Sequence, residues 1–401
     1  MGEYNFDEVI SRKGTYSAKW QGYERKFQGY NVEDALCMWV ADMDFLCPGE
    51  VISAITDRAK HGIYGYTSED AVDAFKEAAS GWFARHYGLK TDVEWMIFIA
   101  GVVPSINAAI QEFTGREDGV IVQQPVYYPF SEAIRDCGRS IRVNQLIEKN
   151  GYYEMDFCNL EKLAKEERTR LIILCSPHNP IGRVWSEDEL IRLGKICREN
   201  DVLIFSDEIH ADFIMKGNKF ISAGTMSSDI TDNLILSFAP SKTFNLAGLG
   251  ASVIVIPNEK IRERMKNRIK MNRYSGSNVF GPIAGEAAYL YGDDYIRELK
   301  EYIESNFDYA LTYIKENLKR VRLTKPEGTY LAWIDFRDTG MSNKEINSFV
   351  LEKAKITVDP GEWFGAGGEG FVRMNLACPR SKVEEAMERL RKAQTNTYFS
   401  R

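Results

Sequence analysis

Six short apolar runs, at 96–99, 120–122, 171–174, 202–205, 234–236 and 253–256, are the feature that most constrains this chain's fold. They are apolar at consecutive positions, not alternate ones, which is the pattern of strands buried on both faces of a mainly parallel sheet. Helical patterns lie between them. Ser186-Glu187-Asp188-Glu189 reads as a capping box, followed by Leu190, Leu193 and Cys197 on one face. A helix there, between two strand candidates, makes a β-α-β unit with parallel strands. The expected fold is α/β, a mainly parallel sheet with flanking helices.

Beyond Pro282 the pattern changes. Residues from about 285 to 320 are rich in helix formers and charge; then come a strand at 329–336, a helix at 343–355, a strand at 371–376 and a helix from Ser381. This predicts a smaller α+β domain at 286–401, a large domain at 51–285, and an N-terminal segment, 1–50, that packs with the small domain. At 401 residues the chain is long enough for two domains. A net charge of −7 argues against nucleic acid or an anionic membrane as partner. No run reaches the roughly 18–20 apolar residues of a membrane span. The opening MGEYNFDEVI lacks the basic and apolar regions of a secretory signal. Seven scattered cysteines without a CxxC pair, and four histidines without ligand spacing, argue against a disulfide framework or a metal site. A cytoplasmic protein is expected.

In open α/β sheets ligands bind beyond the carboxyl ends of the strands. Three successive runs there lead into Cys175-Ser176-Pro177-His178-Asn179-Pro180, Ser206-Asp207-Glu208-Ile209-His210 and Ala239-Pro240-Ser241-Lys242-Thr243-Phe244-Asn245. Singly, Asn179 reads as an Asx-turn, Asp207 as a helix cap and Lys242 as a solvated lysine. Jointly they fit one ligand with an amine-reactive carbonyl, a basic ring nitrogen and a phenolic oxygen. Lys242 would attack the carbonyl, Asp207 would keep the ring nitrogen protonated, and Asn179 would donate to the oxygen. After the first run, Gly101-Val102-Val103-Pro104 fits a helix start whose free N–H groups, at Val102 and Val103, face a phosphate. Pro125-Val126-Tyr127-Tyr128-Pro129-Phe130 brings an aromatic ring to the same rim. Residues 365–370 match GxGxxG but lead into a strand, so they read as a flexible loop near Arg373 and not as a nucleotide site.

SPHNP, SDEIH and APSKTFN together resemble the fold type I pyridoxal-phosphate enzymes, the aspartate aminotransferase superfamily. Within it, MWVADMDF (38–45), YGYT (64–67), AGVVP (100–104), PVYYPF (125–130), CSPHNPIGRVW (175–185) and GFVRMNLACPRS (370–381) resemble the MalY/PatB branch. The resemblance implies pyridoxal 5′-phosphate as cofactor, bound as a Schiff base to Lys242, which then serves as base at the substrate Cα. It implies that Asp207 pairs with the pyridine nitrogen and that Asn179, with His210 nearby, contacts the phenolic oxygen. Tyr127 would stack on the ring, Val102, Val103 and Ser241 would hold the phosphate, and Arg373 would clamp the carboxylate of an amino-acid substrate. Tyr66 would reach the neighbouring subunit's site in a homodimer. Tyr127 and Tyr128 are the candidates for protonating a leaving sulfur. Two positions depart from the wider superfamily: Gly250 stands where an arginine meets the phosphate, and Ala239 where many members carry a serine. The branch implies a β-lyase that cleaves the Cβ–S bond of L-cysteine thioethers to thiol, pyruvate and ammonia. An aminotransferase shares the same cofactor motifs. A regulatory protein with residual lyase activity is the third reading, and an intact Lys242–Asp207 pair weighs against a purely non-enzymatic one.

Overall fold

The computed structural model describes residues 4–274 and 278–396, so the first three residues of the opening segment lie outside it. All six apolar runs are strands. They form a seven-stranded sheet with one more: β1 (Met96–Ile99), β2 (Gly119–Val122), β3 (Ser140–Val143), β4 (Thr169–Cys175), β5 (Leu203–Asp207), β6 (Leu234–Phe238) and β7 (Ser252–Val255). Their spatial order is β1-β7-β6-β5-β4-β2-β3. β7 runs antiparallel to both its neighbours, and all other pairs are parallel. β2, β5, β6 and β7 are buried at every position, as continuous apolar runs require. β3 was not anticipated. Its sequence, Ser-Ile-Arg-Val, is only partly buried because it closes the sheet at an edge.

Helices cover the sheet. α1 (Val102–Phe113) follows β1, and α2 (Tyr128–Asp136) follows β2. α3 (Glu187–Glu199) joins β4 to β5 and begins with the expected capping box, Ser186 and Glu189 bonding each other's backbone N–H. α4 (Pro240–Thr243) is one turn at the end of β6 and carries Lys242. The helical stretch after Pro282 is two helices, α5 (Gly281–Tyr291) and α6 (Asp293–Asn317). α5 packs on the helices Gly49–Lys60 and Glu69–Tyr87.

A second, antiparallel sheet has β8 (Arg322–Leu323), β9 (Leu331–Asp335), β10 (Asp359–Pro360) and β11 (Phe371–Asn375) in the order β8-β9-β11-β10. The helix expected at 343–355 is α-helical over Asn343–Asn347 and widens to a π-helix over Ser348–Lys353. The terminal helix, α7, spans Arg380–Asn396.

The segment before residue 50 is stitched to this second sheet. Leu36–Cys37 pairs in parallel with Ile356–Thr357, and the Asn375 N–H donates to Met38 O at 2.8 Å. The Asn375 amide donates to the carbonyls of Val40 and Asp42 at 2.7 and 2.6 Å. At its far end the segment meets the Lys242 loop: Asn245 donates to Met43 O and Phe45 O and accepts from Met43 N, all within 3.1 Å. Residues 38–45 therefore form a strap between the two sheets.

Replacing Ser186 with Ala removes one half of the α3 capping box at an exposed position. We expect a loss of about 1 kcal/mol in denaturant unfolding, with kcat and KM unchanged, since the Ser186 side chain bonds only Glu189 in the first turn of α3.

Candidate active site

β4, β5 and β6 are adjacent and in register at their carboxyl ends, Cys175 opposite Asp207 and Asp207 opposite Ser237. Sheet register alone thus brings the segments with Asn179, Asp207 and Lys242 to one rim. They line a cavity of about 150 Å³, together with Tyr127, His210 and Ser241. Val102 and Val103 close it from the side of α1. Gly101, with φ of +134°, turns the chain from β1 into that helix, a conformation that an L side chain would disfavour. Eight of the residues singled out from sequence therefore face one space. Gly250 and Ala239 face it too, so neither offers a side-chain donor there.

The charges in the cavity are arranged for a ligand. The Lys242 amine is partly buried and donates to Ala41 O at 2.7 Å. Burial, and then the positive charge of Arg373, lower its pKa to about 8. Asp207 is 5 % exposed and makes no ion pair among the described residues. Its carboxylate accepts only the Ile209 N–H, at 3.2 Å, an Asx-turn at the strand end; no helix follows, so Asp207 is not a helix cap. Burial raises Asp207 to about 7. Burial, with the charges of Lys242 and Arg373, pushes His210 well below its usual value, so its ring is neutral at pH 7. Its Nδ1 is buried without a partner. Tyr127, raised to about 12 chiefly by burial, keeps its proton.

Arg373 lies just behind the lining. Its Nη1 donates to Asn179 Oδ1 at 3.0 Å, and its Nη2 donates to Trp39 O at 3.0 Å and to Asp359. Asn179 thus spends its side-chain oxygen on Arg373, not on an Asx-turn, and its amide stays available to the cavity. Tyr128 and Tyr66 are not brought to the cavity of this chain. Tyr128 packs edge-on against Trp363 and Phe364, and Tyr66 is fully exposed on the surface. Residues 365–370 form a turn into β11 with no helix after it, tied down by the Ala366 N–H bond to Gln124 at 2.9 Å. Asp359, Ala41 and Trp39 were missed as site residues. The motif at 38–45 was the available signal for the last two, but a carbonyl oxygen leaves no mark on residue type.

This donor set fits pyridoxal phosphate. An amine of depressed pKa suits its aldehyde, an uncompensated buried carboxylate suits its ring cation, and the start of a twelve-residue helix suits its phosphate.

An alpha/beta enzyme with this rim belongs to a defined class. The family model for aminotransferase class I and II matches residues 37–390, and the chain belongs to that family. It is 41% identical to cystathionine beta-lyase PatB of Bacillus subtilis (strain 168), covering 97% of this chain and 99% of that protein. Protein MalY of Escherichia coli (strain K12) is 28% identical over 96% of this chain and 97% of its own. Among solved structures, cystalysin of Treponema denticola, which contains a pyridoxal 5′-phosphate cofactor, superposes with a TM-score of 0.92 at 38% identity, covering 98% of this chain and 99% of that one. The PLP-bound C-S lyase of Staphylococcus hominis gives 0.88 at 32% identity, covering 97% and 98%. The resemblance to the MalY/PatB branch and the expected fold and cofactor are borne out.

Asp207 offers a check that needs no substrate. A carboxyl at 3.8 when unfolded and about 7 when folded makes the folded apoprotein bind the extra proton, so its stability falls as pH rises from about 4 to 7. Asp207→Asn removes that penalty. At pH 8 the apo variant should unfold with roughly 2–4 kcal/mol more stability than the apo wild type, and at pH 4 the two should converge. Calorimetry of both apoproteins across this range is the measurement.

Proposed function

We propose that this protein is a pyridoxal-phosphate-dependent β-lyase that converts L-cysteine thioethers and water to a thiol, pyruvate and ammonia. The observation that carries the reading is the meeting of Lys242, Asp207 and a helix start around one cavity, in a chain 41% identical over nearly its full length to a cystathionine beta-lyase.

Lys242 would hold the cofactor covalently, Asp207 its ring nitrogen and Asn179, beside the neutral His210, its phenolic oxygen. Tyr127 would cover the ring, and Val102, Val103 and Ser241 would hold the phosphate. The bound group supplies an electron sink for negative charge at the substrate Cα. Arg373 takes the substrate carboxylate and fixes the Cα–H bond relative to Lys242. With a pKa near 8 the Lys242 amine both accepts and returns a proton near neutral pH, which suits a base at Cα. Tyr127 is protonated and lines the cavity, so it is the better placed of the two tyrosines to give a proton to the departing sulfur.

The same reading includes a homodimer in which Tyr66 completes the neighbour's site, which accounts for a tyrosine left fully exposed in one chain. It also includes a large domain at 51–285, a small one at 286–401 and the segment 1–50 packed on the latter. A cytoplasmic location suits seven unpaired cysteines. No helix among the described residues is long and apolar enough to cross a membrane.

The test is incubation of the holoenzyme with L-cystathionine. Steady release of pyruvate and homocysteine is expected, and Lys242→Ala should lower kcat by about 10³-fold or more and remove the visible absorbance band of the bound cofactor. A single stoichiometric conversion of the cofactor to pyridoxamine phosphate, without continuing pyruvate, would establish an aminotransferase instead.

A further inference from the structure

Asp359 and Arg373 are directly opposite each other on β10 and β11, so the pleat directs both side chains to one face. Both are buried, at 1 % and 2 % exposure, and they form an ion pair. A planar guanidinium offers two edges for two-point binding of a carboxylate, one using Nε with Nη2 and the other Nη1 with Nη2. Both edges need Nη2. Here the two Nη2 hydrogens are committed, one to Trp39 O and one to Asp359, while Nε has no partner. A substrate carboxylate cannot dock at two points on Arg373 without taking the place of one of these acceptors. Trp39 O belongs to the strap, whose neighbouring carbonyls are fixed by Asn375. The Asp359 carboxylate is therefore the one to yield.

We propose that Asp359 is a specificity-determining residue that competes with the substrate's carboxylate for Arg373, so that the carboxylate binds with uptake of a proton at Asp359. The inference rests on the assignment of Arg373 as the carboxylate clamp. Its physical basis is charge. One guanidinium in a dry setting cannot pair two carboxylates fully, so the displaced one is left a buried charge without an ion-pair partner, and protonating it removes that cost. The groups facing Asp359 are Arg373 on β11, Lys26 on the short helix Tyr23–Lys26, and Tyr127 and Tyr128 at the start of α2. Only the first two carry charge at neutral pH. Even with both present, burial keeps Asp359 at about 6, so its proton is within reach. Asp359 Oδ1 is buried without a partner, a position where a proton would sit without displacing another bond.

The probe is 3-(methylthio)propanoate, which has the carboxylate and the thioether but no amine to titrate. Its competitive inhibition constant against L-cystathionine is measured on the holoenzyme from pH 5.5 to 8.5. For wild type we expect the constant to rise by at least fivefold between pH 6 and 8, as the competing carboxylate becomes charged. For Asp359→Asn, which keeps the size and one acceptor, we expect a constant at pH 8 several-fold below wild type and flat over that range. A wild-type profile that is flat, or a variant that keeps the wild-type slope, overturns the proposal. If the variant misfolds, proton uptake by wild type on binding the same compound, from calorimetry in phosphate and in Tris at pH 7.5, gives the answer, and no uptake refutes it. Arg373→Ala separates the two levels. If it leaves the inhibition constant unchanged, the clamp assignment is wrong; if it raises the constant while Asp359→Asn behaves as wild type, only the role of Asp359 is wrong.

Discussion

The site depends on the burial of one carboxylate, Asp44, among cations. It accepts from Arg12 and Trp20, both at 3.0 Å, and lies 3.2 Å from Lys382 and 3.3 Å from Lys19. Lys19 is 1 % exposed, which for a lysine demands such partners. Burial works against the charge on Asp44, but Lys19 and Lys382 prevail and hold it at about 2. Asp42 extends the cluster by pairing with Arg12 at 2.7 Å and Lys19 at 3.7 Å. A buried pair of this kind adds little net stability over an apolar replacement, yet removing one partner costs roughly 3–5 kcal/mol. What it supplies is position. It fixes the chain at 42–44, and with it the strap whose carbonyls at Trp39 and Ala41 receive Arg373 and Lys242.

The rest of the site holds charge that the chain does not balance by itself. Asp207 has a single N–H bond and no ion pair among the described residues, His210 is neutral with an unpartnered Nδ1, and Lys242 sits near the positive Arg373. Each costs folding free energy, and each is the complement of a group with an anionic end and a cationic ring. The apolar core beneath β4, β5 and β6, buried throughout at Ile204, Phe205, Leu234 and Ile235, offsets that cost. Its register also decides that the three segments end at the same rim. Site and core are thus one construction: strands buried along nearly their whole length deliver the residues that cost stability.

Much of this was legible in the sequence, because it depends on local pattern. Continuous apolar runs showed β4, β5 and β6, and the polar tetrapeptide at 186–189 showed the start of α3. The residues after each run showed Asn179, Asp207 and Lys242. What was not legible depends on contacts distant in sequence. β3 has no apolar run, since an edge strand has little to bury. Asp359 lies fourteen residues before Arg373, and only the pairing of β10 with β11 makes them neighbours. The strap was visible as a motif but not as a structure, for its work is done by carbonyl oxygens and by Asn245 and Asn375. Tyr128 adjoins Tyr127 in sequence, yet the first turn of α2 sends its ring to Trp363, away from the cavity.

The strap also acts as a ruler. Lys242 rises from the seven-stranded sheet and Arg373 from the four-stranded one, and besides the Arg373 bond to Asn179 a second link sets the distance between them. Each bonds a carbonyl of the same short segment, Ala41 O for Lys242 and Trp39 O for Arg373. Two residues of extended chain span at most about 7 Å, which limits how far the amine and the guanidinium can separate while both bonds last. Tyr330 adds a second bond to Ala41 O, at 2.9 Å, from the end of the second sheet nearest the cavity. Asn375 and Asn245 hold the two ends of the segment to opposite sheets, so a shift of one sheet is passed to both bonds together. The amine proposed to take the Cα proton and the guanidinium proposed to hold the carboxylate on that same carbon are thereby referred to one piece of backbone, and that backbone is in turn held by the buried charge of Asp44.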